Sequence, residues 1–249
     1  MHNHVEYLLR LADTPLILGQ RLSELCGHGP VLEEDIAITN IALDLIGQAR
    51  LLLTHAGRLE GAGRDEDRLA FLRTEGQFRN ATLVELPNGD FGQVTLRNLL
   101  VSVYQEHLYE ALQASADPEL AAIAAKSLKE TRYHTRHAGD WVVRLGDGTA
   151  ESHGRMQAAL GMLWPYTREL FAGDPVDAAA VADGIGVAPG ALEARWRREV
   201  AAILEEATLC IPEDTPFLSL GRRGRHSEHL GHLLAEMQVL QRTHPDATW

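Results

Sequence analysis

Between Leu32 and Leu59 this chain is apolar around most of a helical circumference. Ile36, Ile38, Ile41, Leu43, Leu45, Ile46, Leu51, Leu52 and Leu53 recur at helical steps, not in the alternation of a strand. A helix that is apolar on nearly every side belongs at the centre of a protein, with other helices around it. Glu33, Glu34 and Asp35 open the segment and suit the positive end of a helix dipole. One polar stripe interrupts it: Asn40, Asp44 and Gln48, four residues apart.

The same periodicity covers nearly all of the chain. A first helix is expected from about Val5 to Gly27, bent or divided at Pro15 and stopped by Gly27-His28-Gly29-Pro30. Gly61 to Asp65 reads as a loop, followed by a helix from about Glu66 to Leu83. Asn88-Gly89 is a turn, since both residues tolerate positive φ. A third long helix runs from about Gly92 to Ser115. Asp117-Pro118 then gives an N-cap with proline at the first helical position, opening a helix that ends at Gly146-Asp147-Gly148. Two helical hairpins of this kind make an antiparallel four-helix core, residues 5–146, with further helices over about 152–243. These are expected at Ser152–Phe171, kinked at Trp164-Pro165, at Pro175–Asp183, at Pro189–Leu209 and at Ser227–Arg242. The reading is all-α: a single domain over residues 1–249, with a four-helix bundle core and additional C-terminal helices.

Composition narrows the function. The 249 residues carry a formal charge of −12, which argues against binding a nucleic-acid backbone. Cys26 and Cys210 are too few for a disulfide framework and are expected to be small buried hydrophobes in a reducing cytoplasm. The N-terminus lacks the basic and apolar regions of a signal peptide. No run of roughly 18 uninterrupted apolar residues is present, so no membrane role is expected.

In bundles of the ferritin-like kind, two core helices each carry Glu-x-x-His, which with one Glu from each of two other helices holds two irons. This sequence has no Glu-x-x-His anywhere. The corresponding places read Leu45-Ile46-Gly47-Gln48 and Thr131-Arg132-Tyr133-His134. Glu24, near the end of the first helix, and Glu106, on the third, are candidate carboxylates, and with His134 they form an incomplete ligand set. The stripe Asn40, Asp44, Gln48 reads either as a metal or substrate site or as a hydrogen-bonded seam or partner-chain contact. The seam is favoured, because one Asp cannot balance two hard cations. His134 shares an inward stripe with Thr131 and Trp141, which turns His137 away. His226, His229 and His232 suggest zinc by spacing, but the outer pair spreads by roughly 60° and a surface or subunit contact is preferred. Arg222, Arg223 and Arg225 read as a solvated loop tip or as a site for an acidic partner or a ligand phosphate. No phosphate loop and no nucleophile elbow occur.

Four stretches carry a family resemblance: Leu22-Ser23-Glu24-Leu25-Cys26-Gly27-His28, the run Asn40 to Arg50, Lys129-Glu130-Thr131-Arg132-Tyr133-His134, and His226 to Gly231 with Leu234 to Gln238. Through them the chain resembles, over essentially its whole length, the C subunits of bacterial ring-1,2-phenylacetyl-CoA epoxidases, the phenylacetyl-CoA monooxygenases of phenylacetate degradation. The resemblance implies a ferritin-like subunit that is itself inactive and holds no cofactor. It implies a related catalytic A subunit that keeps both Glu-x-x-His pairs, the di-iron centre, the oxygen and the acyl-CoA. On that pattern Glu24 falls at the first-helix carboxylate, Leu45 and Gln48 at one pair, and Thr131 and His134 at the other. The third-helix ligand falls near Gln105 and Glu106. Only Glu24 and His134 keep ligand chemistry. The implied role is to dimerise with the A subunit and support its helices. A small B subunit and a reductase passing NADPH electrons through flavin and iron–sulfur groups complete the implied complex. A homodimer is the expectation for the chain by itself. The alternatives are a stand-alone ferritin-like metal-binding protein with a reduced ligand set, and a helical binding module with zinc at its histidines.

Overall fold

The computed structural model describes residues 2–244 and Ala247. Among the described residues the chain is all-α, with eleven helices and three short 3-10 turns. The only strand-like pairing described is a single bridge between Leu220 and Arg225. The chain divides into two compact units, residues 2–87 with 219–244, and residues 88–218.

The first unit is built on a hairpin of α1 (His2–Ser23) and α2 (Leu32–Glu60). Pro15 neither divides nor ends α1, which runs through it; a proline forfeits one backbone bond, while its φ still suits a helix. The helix does stop earlier than its apolar pattern suggests. Ser23 donates its hydroxyl to the Gly19 carbonyl at 2.8 Å, and Gly27 turns the chain at φ 83°. The Asp35 carboxylate then accepts the Gly27 and Gly29 N–H groups at 2.8 and 2.9 Å, clasping the turn to the first turn of α2. At the far end α2 closes on Gly61 in the left-handed region, whose N–H reaches the Gly57 carbonyl.

The helix expected at 66–83 is broken into α3 (Glu66–Phe71), a 3-10 turn at Glu75–Gln77 and α4 (Thr82–Glu85). Side chains there take over the backbone's partners. Arg73 donates Nε to the Leu69 carbonyl and Nη1 to the Gln77 carbonyl, and Gln77 Oε1 accepts the Thr74 N–H at 2.8 Å. The last expected helix is likewise two pieces, α10 (Glu228–Met237) and α11 (Val239–Thr243). Between them Gln238 donates Nε2 to the carbonyls of Ala70 and Arg73 at 3.3 and 3.0 Å.

The second unit contains α5 (Phe91–Leu112), α6 (Pro118–Gly146), α7 (Ala150–Thr167), α8 (Pro175–Ala182) and α9 (Gly190–Glu206). The starts of α5 to α8 follow from caps. Asp90 accepts the Gln93 N–H, Asp117 those of Glu119 and Leu120, Thr149 that of Ser152, and Asp174 that of Val176. Such caps satisfy the first orphan donors of a helix. The α7 helix continues through Pro165 and gives way to a 3-10 turn at Arg168–Phe171. Trp196 on α9 is fully buried, stacks near Trp164 and Phe171, and donates its indole N–H to the Leu100 carbonyl at 2.9 Å.

Two expectations about burial are corrected. The α2 helix is not enclosed: Leu32, Ile36 and Leu43 are 70%, 52% and 62% exposed. The enclosed helices are α1, buried from Tyr7 to Gly19, and α5, which buries even Gln93, Arg97, Asn98 and Ser102. By length and composition α2 is apolar enough to cross a bilayer, yet it packs along α1. Both cysteines are exposed thiols rather than buried hydrophobes. Cys26 lies in the α1–α2 turn, and Cys210 sits beyond α9, where Gln157 pairs with its backbone N–H and carbonyl at 2.8 Å each.

Candidate functional site

In the first unit the candidate positions lie on α1 and α2. Gly19 lets the two helices touch: a Cβ there would meet Ile46 Cγ1 at 3.0 Å, the Ala42 carbonyl at 3.2 Å and Leu45 Cβ at 3.4 Å. Leu45 and Gln48 are buried beside that contact. The polar stripe does not stay with them. Asn40 is exposed and Asp44 half-buried, so only Gln48 faces fully inward. Each four-residue step rotates about 40° around a helix, and two steps carry the stripe from solvent to core. Glu24 is exposed rather than interior. It lies past the end of α1, where its carboxylate accepts Arg21 Nη1 at 2.9 and 3.1 Å.

In the second unit the positions lie on α5 and α6. Thr131 is fully buried and donates its hydroxyl to the Ser127 carbonyl one turn back, at 2.9 Å. His134 is buried on the same face, whereas Trp141 and His137 are only half-buried. Glu106 pairs with Arg132 at 3.5 Å. Arg132 also lies 3.7 Å from Glu110, which binds Arg195, so Glu106 belongs to a surface charge chain. Its neighbour Gln105 is the buried one. Sequence reasoning passed over His107, whose Nε2 lies 3.0 Å from the Glu199 carboxylate. Burial pushes the His107 pKa down, against the pull of Glu199.

The densest polar chemistry in the first unit lies elsewhere, between α1, the 72–85 segment and the C-terminal stretch. Asp13, fully buried, accepts both Nη atoms of Arg73 and the Arg79 backbone N–H, the last at 2.7 Å. Glu85, also fully buried, accepts the Ser227 N–H at 2.7 Å, Asn80 Nδ2 at 3.1 Å and His226 Nδ1 at 2.9 Å. His226 Nε2 faces the Phe78 carbonyl at 3.0 Å. Both ring nitrogens of His226 therefore meet acceptors, and bonding to both requires the imidazolium. Burial opposes that charge, but Glu85, the Phe78 carbonyl and Glu75 outweigh it and hold the pKa above its usual value. Arg21 ties the same region together, donating to the Glu85 carbonyl at 2.7 Å and the His229 carbonyl at 3.2 Å.

These contacts correct the histidine and arginine readings. His226 precedes α10, whose N-cap is Ser227, so the three histidines do not share one helix. His232 is exposed and His229 half-buried. Arg222 is buried in a 3-10 turn at Gly221–Arg223, not in a solvated tip. Gly221 allows this docking, because a Cβ there would stand 2.5 Å from the Asn80 carbonyl. The sequence signals for this network were weak: single charged residues, 60 and 141 positions from their partners.

Comparison with known proteins adds two findings. The family described as phenylacetic acid catabolic protein matches residues 1–249. The C subunit of the 1,2-phenylacetyl-CoA epoxidase of Escherichia coli (strain K12) is 49% identical over 249 residues, covering 100% of both chains.

Proposed function

The chain belongs to the phenylacetic acid catabolic protein family, which is ferritin-like, and we propose that it is the non-catalytic subunit of a phenylacetyl-CoA epoxidase. In this reading it acts in cytoplasmic phenylacetate breakdown. It pairs with a catalytic relative that keeps the di-iron centre, alongside a small third subunit and an NADPH-dependent reductase. Its near-half identity to the C subunit of such an epoxidase supports the assignment to the complex.

One observation carries the non-catalytic part. Where two iron-binding carboxylates would be needed, Leu45 offers no donor atom and Thr131 spends its proton on the Ser127 carbonyl. The remaining carboxylates at matching positions are engaged by protein cations, Glu24 by Arg21 and Glu106 by Arg132. Two hard cations need several anionic oxygens, and this donor set does not fit them.

Elemental analysis tests the reading directly. Purified by itself, the chain is expected to hold no stoichiometric iron, while its co-expressed catalytic partner co-purifies with it and carries phenylacetyl-CoA-dependent NADPH oxidation. Roughly two irons per copy of this chain would overturn the reading. A catalytic partner equally soluble and active without this chain would do the same.

A further inference from the structure

We infer that the cavity formed by the start of α1, the end of α2 and the 64–79 segment binds a small carboxylate with an apolar body. The cavity measures about 340 Å³, near the lower end of the range that small-molecule sites occupy. Part of its lining is aliphatic: Val5, Leu9 and Leu59. The rest includes Arg64, Gln77 and Arg79, each with hydrogen-bond donors left over. Arg64 gives Nε and Nη2 to Glu60. Arg79 gives Nε to Glu6 and Nη1 to the Gly76 and Phe78 carbonyls. Gln77 spends Oε1 on the Thr74 N–H and hydroxyl. Among the described residues, Arg64 Nη1, Arg79 Nη2 and Gln77 Nε2 then have no protein partner.

These spare atoms are all donors, and the nearby carboxylates are already engaged. The hydrogen bond from Arg64 holds the Glu60 carboxyl below its usual pKa, so Glu60 stays ionised and paired. Glu6 is shared between Arg79 and Arg10, the latter at 3.8 Å. Arg73, the third arginine of the lining, is matched by Asp13. Four guanidiniums thus meet three carboxylates here, in a chain whose formal charge is −12. A lining with spare donors and surplus positive charge selects an anionic acceptor, and the planar guanidinium matches a planar carboxylate. The aliphatic residues add affinity only for a ligand with an apolar body. The side chains of Arg64 and Arg79 remain 34% and 21% exposed, so such a ligand reaches them from solvent.

Isothermal titration calorimetry of the full chain with hexanoate tests the inference. One hexanoate per chain is expected, bound at least about tenfold more tightly than hexanamide, which lacks the charge. Acetate and inorganic phosphate, which lack the apolar body, should also bind at least about tenfold more weakly. Arg64→Met removes the charge and keeps the aliphatic stem, while Val5→Trp fills the cavity and keeps the donors. Each should weaken hexanoate about tenfold with unchanged circular dichroism. Should a variant lose its fold, the methyl resonances of the wild-type chain decide: those of Val5, Leu9 and Leu59 should shift when hexanoate is added. The inference is overturned by no saturable heat up to about 10 mM hexanoate, or by hexanamide or phosphate binding as tightly as hexanoate. Binding that both folded variants leave intact, or methyl shifts confined to other parts of the chain, also overturns it. None of these outcomes bears on the proposed place in the epoxidase.

Discussion

Replacing Asp13 with alanine is expected to cost a large share of the protein's stability. Asp13 is 0% exposed and Arg73 only 2%. Arg73 donates to both Asp13 oxygens and lies over the Phe78 ring, 4.3 Å from its centroid. Without the carboxylate, the guanidinium keeps hydrogen bonds to the Leu69 and Gln77 carbonyls and remains buried without its paired counter-charge, with Glu60 acting on it through the Coulomb field alone. Breaking a buried pair from one side costs about 3–5 kcal/mol. The Arg79 N–H, which also bonds Asp13, is orphaned at about 1–3 kcal/mol more. A total of roughly 5 kcal/mol is comparable with the whole net stability of many domains, about 5–15 kcal/mol.

Urea unfolding followed by circular dichroism measures this. With a slope of about 3 kcal/mol per molar, the midpoint of Asp13→Ala should fall by roughly 1.5 M. The double variant Asp13→Leu with Arg73→Met should regain most of that, because matched apolar residues replace a buried pair at little or no cost. The difference between the double and the summed singles is the coupling energy. A midpoint shift for Asp13→Ala below roughly 0.3 M, or a double variant no better than the single, would refute the buried-pair argument.

Two further outcomes are expected. His226 has a folded pKa raised above its usual 6.5, so its clamp on Glu85 contributes fully below that value and fades as pH rises through the folded pKa. The stability advantage of wild type over His226→Gln, from urea unfolding at each pH, should therefore shrink from pH 6 to pH 9, by up to about 1.5–3 kcal/mol, the worth of a hydrogen bond to a charged group; parallel curves would exclude the imidazolium. Leu45→Glu combined with Gln48→His should lose about 3–5 kcal/mol by burying an unpaired carboxylate. It should show no iron-dependent oxygen uptake at an electrode, since Thr131 still lacks a carboxylate, and measurable uptake would count against the ligand argument.

The long helices were legible because their signals are local. Asp117-Pro118 announces α6, and the structure shows the Asp117 carboxylate on two first-turn N–H groups. The breaks were not legible. Arg73 and Gln238 interrupt apolar periodicity that looks continuous, by offering backbone carbonyls side-chain donors, and periodicity records only which residues are apolar. The same limit exchanged α2 and α5. Composition made α2 look central, although one of its faces is bare, while the buried Arg97 and Asn98 hid the enclosure of α5.

At the ligand-like positions, residue type was legible and orientation was not. That Leu45 has no donor atom is a property of leucine, true wherever the chain places it. Whether Glu24 and Glu106 face inward depends on where α1 stops and on one residue of register in α5, and both turn out to meet arginines. The fully buried carboxylates Asp13 and Glu85 answer to cations too, Arg73 and His226, at separations no local pattern reveals. A carboxylate inside a protein must be balanced by some positive charge. For the buried Asp13 and Glu85 a guanidinium and an imidazolium supply it, leaving those two carboxylates committed to holding the fold, while the more exposed Glu24 and Glu106 are taken up by arginines.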